Sequence, residues 1–487
     1  MNNVTIIARR REEVFHLDSS RVITKPFFPG GEDRIRKVIH RVLRLSDTEA
    51  EHVLEGVERN FESRHKDIWD DFSKNFQQVS RFIPSGHKLS DKKRLLIGAY
   101  FTHEYSIQSA AFFNPSIVPH PDQSGLGEGE LRFVMSFRST GEGHISSIEF
   151  RSGILKQDNS TLFDPVSGYV ERADIVKNPK YYLKNFIRKL DEMDWKNVFS
   201  ETILSRLDDE FTFDELMNAI SEYERPRNFG VVVKNTIDNM LWLARSNYEI
   251  QFDPEHDLSE RVIFPVSENE SSGIEDARFV RFVDDDGEVT YYATCTAFDG
   301  SNILPQIIVT KDFLHFRMIT LNGECAKDKG MALFPRKIKG RFAIISRVDG
   351  ENMYISTSDN VHIWNEAQRL QEPEDPWEFI QIGNCGSPIE TPEGWLLLTH
   401  GVGPMRQYFI GAILLDLDNP YRVIGKLRDP LLVPNRDERE GYVPNVVYSC
   451  GALLHNEELI IPYAMSDQAS TIAVVHVGDL LSALKSS

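Results

Sequence analysis

The chain has few cysteines, no long apolar run and no surplus of positive charge, and each shortage removes a class of protein. Cys295, Cys325, Cys385 and Cys450 are the only cysteines, and they fit no CxxC spacing. That argues against a zinc ribbon or a disulfide framework and for free buried thiols in a reducing compartment. No stretch approaches the ~18 apolar residues that cross a bilayer. Met1 to Arg11 is polar and basic, without the apolar centre of a secretory signal, so a cytoplasmic location without a membrane partner is expected. Acidic residues outnumber basic ones 74 to 55, a net charge of −19. Nucleic acid would want a basic face, so it is excluded as a partner; a small anion would need a local cluster of cations. No glycine-rich nucleotide loop and no Ser–His–Asp order stands out. His103, Glu104, His120 and Asp122 suit no metal-ligand spacing. Neither metal nor organic cofactor is expected.

What the chain does have is 41% hydrophobic residues in 487, enough for a large core, and a repeat. Leu333-Phe334-Pro335-Arg336-Lys337-Ile338 runs through Gly340 into Arg341–Arg347. Ser387-Pro388-Ile389-Glu390 runs through Pro392-Glu393-Gly394 into Trp395–Gly401. Pro444–Ala452 runs through His455–Glu458 into Leu459–Tyr463, and Asn114–Pro119 precedes Leu131–Arg138. With Gly273–Phe282 and Val289–Thr294 there are five such units, each a short strand, a turn and a second strand ending on a polar residue. Recurrence near 55 residues is within the range of propeller blades. The fold class expected is an all-β five-bladed β-propeller, its first strands lining a channel with function at the mouth.

Two regions depart from the repeat. Residues 1–95 are expected as a helical extension, with Ser46 and Glu49 as a capping box. Val53, Leu54, Val57, Phe61, Ile68, Phe72, Phe76 and Val79 follow at near-helical period. This stripe is a packing face, either onto the propeller or between two copies in a homo-oligomer. The catalytic domain then spans 96–487, with a helical insertion at about 155–240 between the first two blades. Tyr181–Met193 and Phe213–Tyr223 are its amphipathic helices, Pro226 interrupts, and the chain resumes at Met240–Arg245. Such an insertion either covers a substrate or is structural padding.

The densest chemistry lies in Gly273-Ile274-Glu275-Asp276-Ala277-Arg278-Phe279. Neighbouring side chains on a strand point to opposite faces. Glu275 is therefore expected to turn away from Asp276 and brace an arginine, unless the backbone bulges.

Taken together, Asn114-Pro115-Ser116, Gly273–Arg278, Leu333-Phe334-Pro335-x-Lys337-Ile338, Gly394–Gly401, Gly411-Ala412-x-Leu414-Leu415-Asp416-Leu417-Asp418-x-Pro420 and Val443–Val447 resemble glycoside hydrolase family 130. That family comprises mannoside phosphorylases and related β-mannosidases on a five-bladed propeller. The resemblance covers about residues 100–150 and 240–480. It implies Asp276 as the single acid, protonating the glycosidic oxygen through a hydroxyl of the mannosyl ring, and Asn114, Arg138 and Asp467 as mannosyl-binding groups.

Ordinary inverting hydrolysis uses two carboxyl groups ~6.5–9.5 Å apart, whereas phosphorolysis replaces the second with a cation cradle. Arg336, Lys337, Arg347 and His400 are the candidates for that cradle, although alternation admits only one of Arg336 and Lys337. Glu390 stands where phosphorylases commonly carry lysine, and is the candidate base if water is the nucleophile. The leading expectation is an inverting phosphorylase of β-linked, favoured as β-1,2, mannooligosaccharides, giving α-mannose 1-phosphate with inorganic phosphate as co-substrate. The alternative is an inverting β-mannosidase; a mannoside-binding propeller without turnover ranks third.

Overall fold

A computed structural model describes residues 8–224 and 230–486. The repeat folds as antiparallel groups of strands, the first two joined in one 12-stranded sheet through the Ser146–Gly273 pairing. The first is built on Ala111–Pro119, Leu131–Thr140 and Ser146–Leu155. The second has Gly273–Val283, Val289–Phe298, Ile303–Thr310 and His315–Thr320. The third begins at Ala332–Leu333 with Phe342–Ser346 and Met353–Ser358. The fourth is centred on Gly394–Val402 and Tyr408–Leu415, and the fifth on Val447–Tyr448, Glu458–Met465 and Ala469–His476. Ala111–Phe113 and Asn114–Val118 are all buried, the pattern of a strand covered on both faces.

Cores form between units rather than within them. Phe150 of the first packs with Phe279 of the second, and Phe282 with Leu333 of the third. Ile345 packs with Trp395 of the fourth, and Leu396 with Leu459 of the fifth. Ile460 and Ile472 then pack with Phe133 of the first unit. At one end of the first strands, a cavity of about 430 Å³ is lined by Val118, Val280, Pro335, Ile389 and Leu453, one residue from each unit. Close approach there depends on glycine. Gly386 has φ +111, and a Cβ on it would lie 2.5 Å from the Cys450 carbonyl.

The extension is not wholly helical. Arg9–Phe15 is a strand paired to Ala469–His476, completing the fifth unit's sheet, and Val22–Pro26 pairs with Thr102–Ser106. The unit needs an outer strand to cover an edge. Arg10 secures this one by two bonds to Glu438, at 2.7 and 2.9 Å. The helices Glu32–Leu43, Asp47–Phe61, Ile68–Val79 and Asp91–Tyr100 follow, and the Ser46–Glu49 capping box is present. Their apolar stripe meets a core of their own, with Ile39, Leu54, Val79 and Ile97 at its centre.

Between the first two units, the helices Leu183–Glu192, Val198–Leu204, Phe213–Glu224 and Val231–Arg245 also share a separate core. The break expected at Pro226 lies outside the described residues. Met240–Arg245 is the last turn and a half of a helix rather than the return to the sheet. Met240, Leu243 and Ala244 recur at helical spacing and are buried.

All four cysteines are buried and unpaired. Glu104 bonds Arg64 and His65, while His120 Nδ1 accepts the Asp122 backbone N–H at 2.9 Å. These are the local duties of loop and strand-end polar groups.

Candidate active site

The site lies at the end of the first strands opposite the 430 Å³ cavity and is made by two matching β-bulges. In the first unit the register slips between Phe113 and Ser116, with Asn114 at φ 49; in the second it slips between Glu275 and Arg278, with Asp276 at φ 53. Asn and Asp tolerate the left-handed region better than other side chains, and a bulge re-aims the residue that occupies it. The two side chains consequently meet, with Asn114 Nδ2 donating to Asp276 Oδ1 at 2.8 Å. Gly273, at φ +126, opens the strand, where a Cβ would sit 2.4 Å from Ser146 N.

The bulge overturns one expectation. Glu275 does not point away from Asp276. Arg138 spans both, with Nη2 on Glu275 Oε1 at 2.7 Å and Nη1 on Asp276 Oδ1 at 3.3 Å, while its Nε bonds Ser146. Lys329, which the sequence reading missed, bonds the other Glu275 oxygen at 2.5 Å. Arg278 is buried; its Nη1 donates to the Asp276 backbone carbonyl at 3.3 Å and its Nη2 to the Tyr448 hydroxyl at 2.5 Å. Two polar atoms here lack a partner among the described residues, Asn114 Oδ1 and Arg278 Nε. Both Asp276 bonds go to Oδ1, so Oδ2 accepts none among the described residues.

Burial works to raise the Asp276 pKa, but Arg138, Arg278, the Asn114 amide and Lys329 outweigh it and hold the carboxyl below the ordinary aspartate value. Asp467, at φ 51 in the turn between Glu458–Met465 and Ala469–His476, goes the other way. Loss of water, opposed by Arg138 but helped by the Asp276 charge, raises its pKa to about 7. A carboxyl whose folded pKa exceeds its unfolded one holds its proton more tightly in the native state. Its penalty is absent below the unfolded pKa near 3.8 and grows as pH climbs to about 7. Between pH 4 and 7 the wild type is therefore expected to lose stability relative to Asp467→Asn. Partial exposure of Asp467 trims the effect to about 1–2 kcal/mol. Parallel stability curves from denaturant melts across that range would refute it.

The structure brings only part of the expected anion cradle to this end. Arg347 is there, beside Asp328 at 3.4 Å, one residue before Lys329. His400 is there too, its ring 5.0 Å edge-on to Tyr448. Burial, with Arg347 and Arg278 adding to it, drives its pKa down to about 3. It is therefore neutral, with Nδ1 donating to the Asn384 carbonyl at 3.1 Å, and supplies no charge.

Arg336 and Glu390 are corrections. Both line the cavity at the other end, as a bidentate pair at 2.6 and 2.8 Å. Gly330, whose carbonyl takes the Asn384 amide, is six residues before Arg336, with the strand Ala332–Leu333 between them. Lys337 is occupied at that end by Asp284 at 2.6 Å. Glu390 thus pairs a cation and is not placed to activate water beside Asp276. The pair is well exposed and worth about 0–1 kcal/mol. Arg336→Ala and Glu390→Gln are each expected to leave kcat/KM unchanged and to alter stability by less than about 1 kcal/mol. A collapse of activity in either would return that residue to the site.

One carboxylate with an uncommitted oxygen, beside Arg138, Arg278 and Lys329 and with Arg347 near His400, suits transfer from a protonated leaving oxygen to an anion. The chain belongs to glycoside hydrolase family 130. The model of that family, described as β-1,4-mannooligosaccharide phosphorylase, matches residues 230–486. The chain is also similar to a 1,2-β-oligomannan phosphorylase of Thermoanaerobacter sp. (strain X514), 32% identical over 46% of this chain and 75% of that one. A β-1,2-mannobiose phosphorylase of Listeria innocua is 27% identical over 69% of this chain and 91% of its own. A β-1,4-mannooligosaccharide phosphorylase of Ruminococcus albus is 29% identical over 47% and 71%.

Proposed function

We propose that this chain is an inverting β-mannoside phosphorylase that cleaves mannooligosaccharides with inorganic phosphate. The observation that carries the choice over hydrolysis is the position of Glu390, tied to Arg336 at the far end, while three cations stand near Asp276. The relatives' descriptions support phosphorolysis, and β-1,2 is the linkage in two of the three named above.

The supporting scaffold is a five-bladed propeller. Neighbouring units share cores in succession, the fifth also packs on the first, and all five reach one cavity. In this reading Asn114, Arg138 and Asp467 hold the mannosyl hydroxyls with mixed donors and acceptors. Phosphate lies against Arg278, Lys329 and Arg347, and the Tyr448 O–H is left to donate because its oxygen already accepts from Arg278.

A phosphate oxygen attacks the anomeric carbon as the bond to the leaving oxygen breaks on the opposite face. The leaving oxygen takes a proton from a mannosyl hydroxyl, which is resupplied by Asp276 Oδ2. The lowered pKa leaves Asp276 ionised before the nucleophile binds. Phosphate arriving as dihydrogen phosphate brings in the proton that Asp276 passes on, and its charge offsets those of Arg278 and Lys329 that keep the carboxylate ionised. Proton and phosphorus NMR of the first product tests the stereochemistry. The α-configured mannose 1-phosphate is expected, and the β anomer would exclude single displacement.

A further inference from the structure

The helices inserted between the first two units enclose a cavity of about 650 Å³ against the turn Glu268–Glu270, just ahead of Gly273. Its size is that of small-molecule sites. Trp195 and Trp242 line it, half-buried and edge to face, with ring centres 5.2 Å apart. Asn239, Arg245 and Glu268 add polar groups. Asn269 also lines it and is only 3% exposed, yet neither Oδ1 nor Nδ2 has a hydrogen-bond partner among the described residues. A buried amide left without partners calls for an explanation. A chain of contacts links the cavity to the candidate active site: Asp299, which lines it, follows Phe298, whose ring centre is 5.3 Å from Lys329 Nζ, and Lys329 bonds Glu275.

We propose that this cavity binds the distal sugar residues of an oligosaccharide whose terminal mannosyl unit is at Asp276, an inference that rests on the function proposed above. A pyranose has an apolar C–H face for an indole ring and hydroxyls that use both halves of an amide. Other occupants fit less well. An anion would face Asp238, Glu268 and Asp299, and a purely apolar ligand would leave the Asn269 amide unsatisfied. The insertion thereby sets the enzyme's preference for chain length.

The test compares β-1,2-mannobiose with β-1,2-mannotetraose. Asn239→Ala, at a half-exposed position, and Trp242→Leu, which keeps apolar bulk against the helical core, are the variants. Each is expected to lower kcat/KM for the tetrasaccharide about 10-fold while leaving the disaccharide within about twofold. Equal losses on both substrates, or no loss on either, overturn the proposal. Titration of the unaltered protein and both variants with mannotetraose, followed by tryptophan fluorescence and calorimetry, separates this idea from its premise. Absence of phosphorolysis would sink the proposed function, whereas tetrasaccharide binding weakened about 10-fold by Asn239→Ala would still support the site. Binding indifferent to both substitutions would overturn it.

Discussion

Asp276→Asn is expected to lower turnover at least ~10²-fold, the scale of lost general acid catalysis, while the chain keeps its fold. Asparagine is nearly isosteric and its carbonyl can still accept the Asn114 amide bond that Asp276 Oδ1 now takes. Arg138 keeps its 2.7 Å bond to Glu275. What disappears is a group able to carry a proton at Oδ2. The loss should therefore depend on the leaving group. An aryl β-mannoside, whose phenolate departs without a proton, should lose much less than mannobiose. Steady-state rates on both substrates, with circular dichroism as the control for folding, check this. Equal losses on the two would point to misplaced substrate rather than a missing acid.

The second large effect concerns the nucleophile. Lys329→Ala and Arg347→Ala are each expected to raise KM for phosphate ~10–100-fold, because a bond to a charged group is worth about 1.5–3 kcal/mol. KM for the mannoside should change far less. Lys329 and Arg347 suit the experiment better than Arg278, which is fully buried and bonded to Tyr448 and to the Asp276 backbone. Its removal would confound binding with stability. Phosphate dependence measured at saturating mannoside reads the effect. An unchanged KM for phosphate in both variants would mean that the anion lies elsewhere.

Period and turn residues were enough to mark out the strand–turn–strand repeat, because runs of mainly apolar strand residues alternate with turns that carry Gly, Pro or Asn. The same signal is weak in Arg9–Phe15, five of whose seven residues are charged, so an outer strand contributed from the other end of the chain passed unnoticed. Met240–Arg245 is ambiguous for a related reason. A short apolar run belongs equally to a buried strand or to a helix end, and only the helix from Val231 onward resolves it.

At the site, Asp276, Asn114 and Arg138 were legible from their motifs, yet their geometry was not. Strict alternation puts Glu275 and Asp276 on opposite faces, and a bulge with Asp276 at φ 53 brings both to Arg138. Lys329 gave no signal, because Glu324–Gly330 has no strand period and reads as a polar loop. Arg336 and Glu390 misled for the converse reason. Arg336 follows the short strand Ala332–Leu333 and Glu390 lies within Ile389–Thr391, both at the far cavity, so likeness of motif position did not carry likeness of depth along the channel.

The central claim is that phosphate, held opposite the leaving oxygen, is the nucleophile. The most direct measurement incubates the enzyme with β-1,2-mannobiose in phosphate-free buffer and then with added phosphate, and quantifies mannose 1-phosphate and free mannose. Cleavage without phosphate is expected to be negligible. With it, mannose 1-phosphate and the released reducing-end mannose should appear in equal amounts. Undiminished cleavage without phosphate, giving two free mannose molecules per disaccharide, would contradict it.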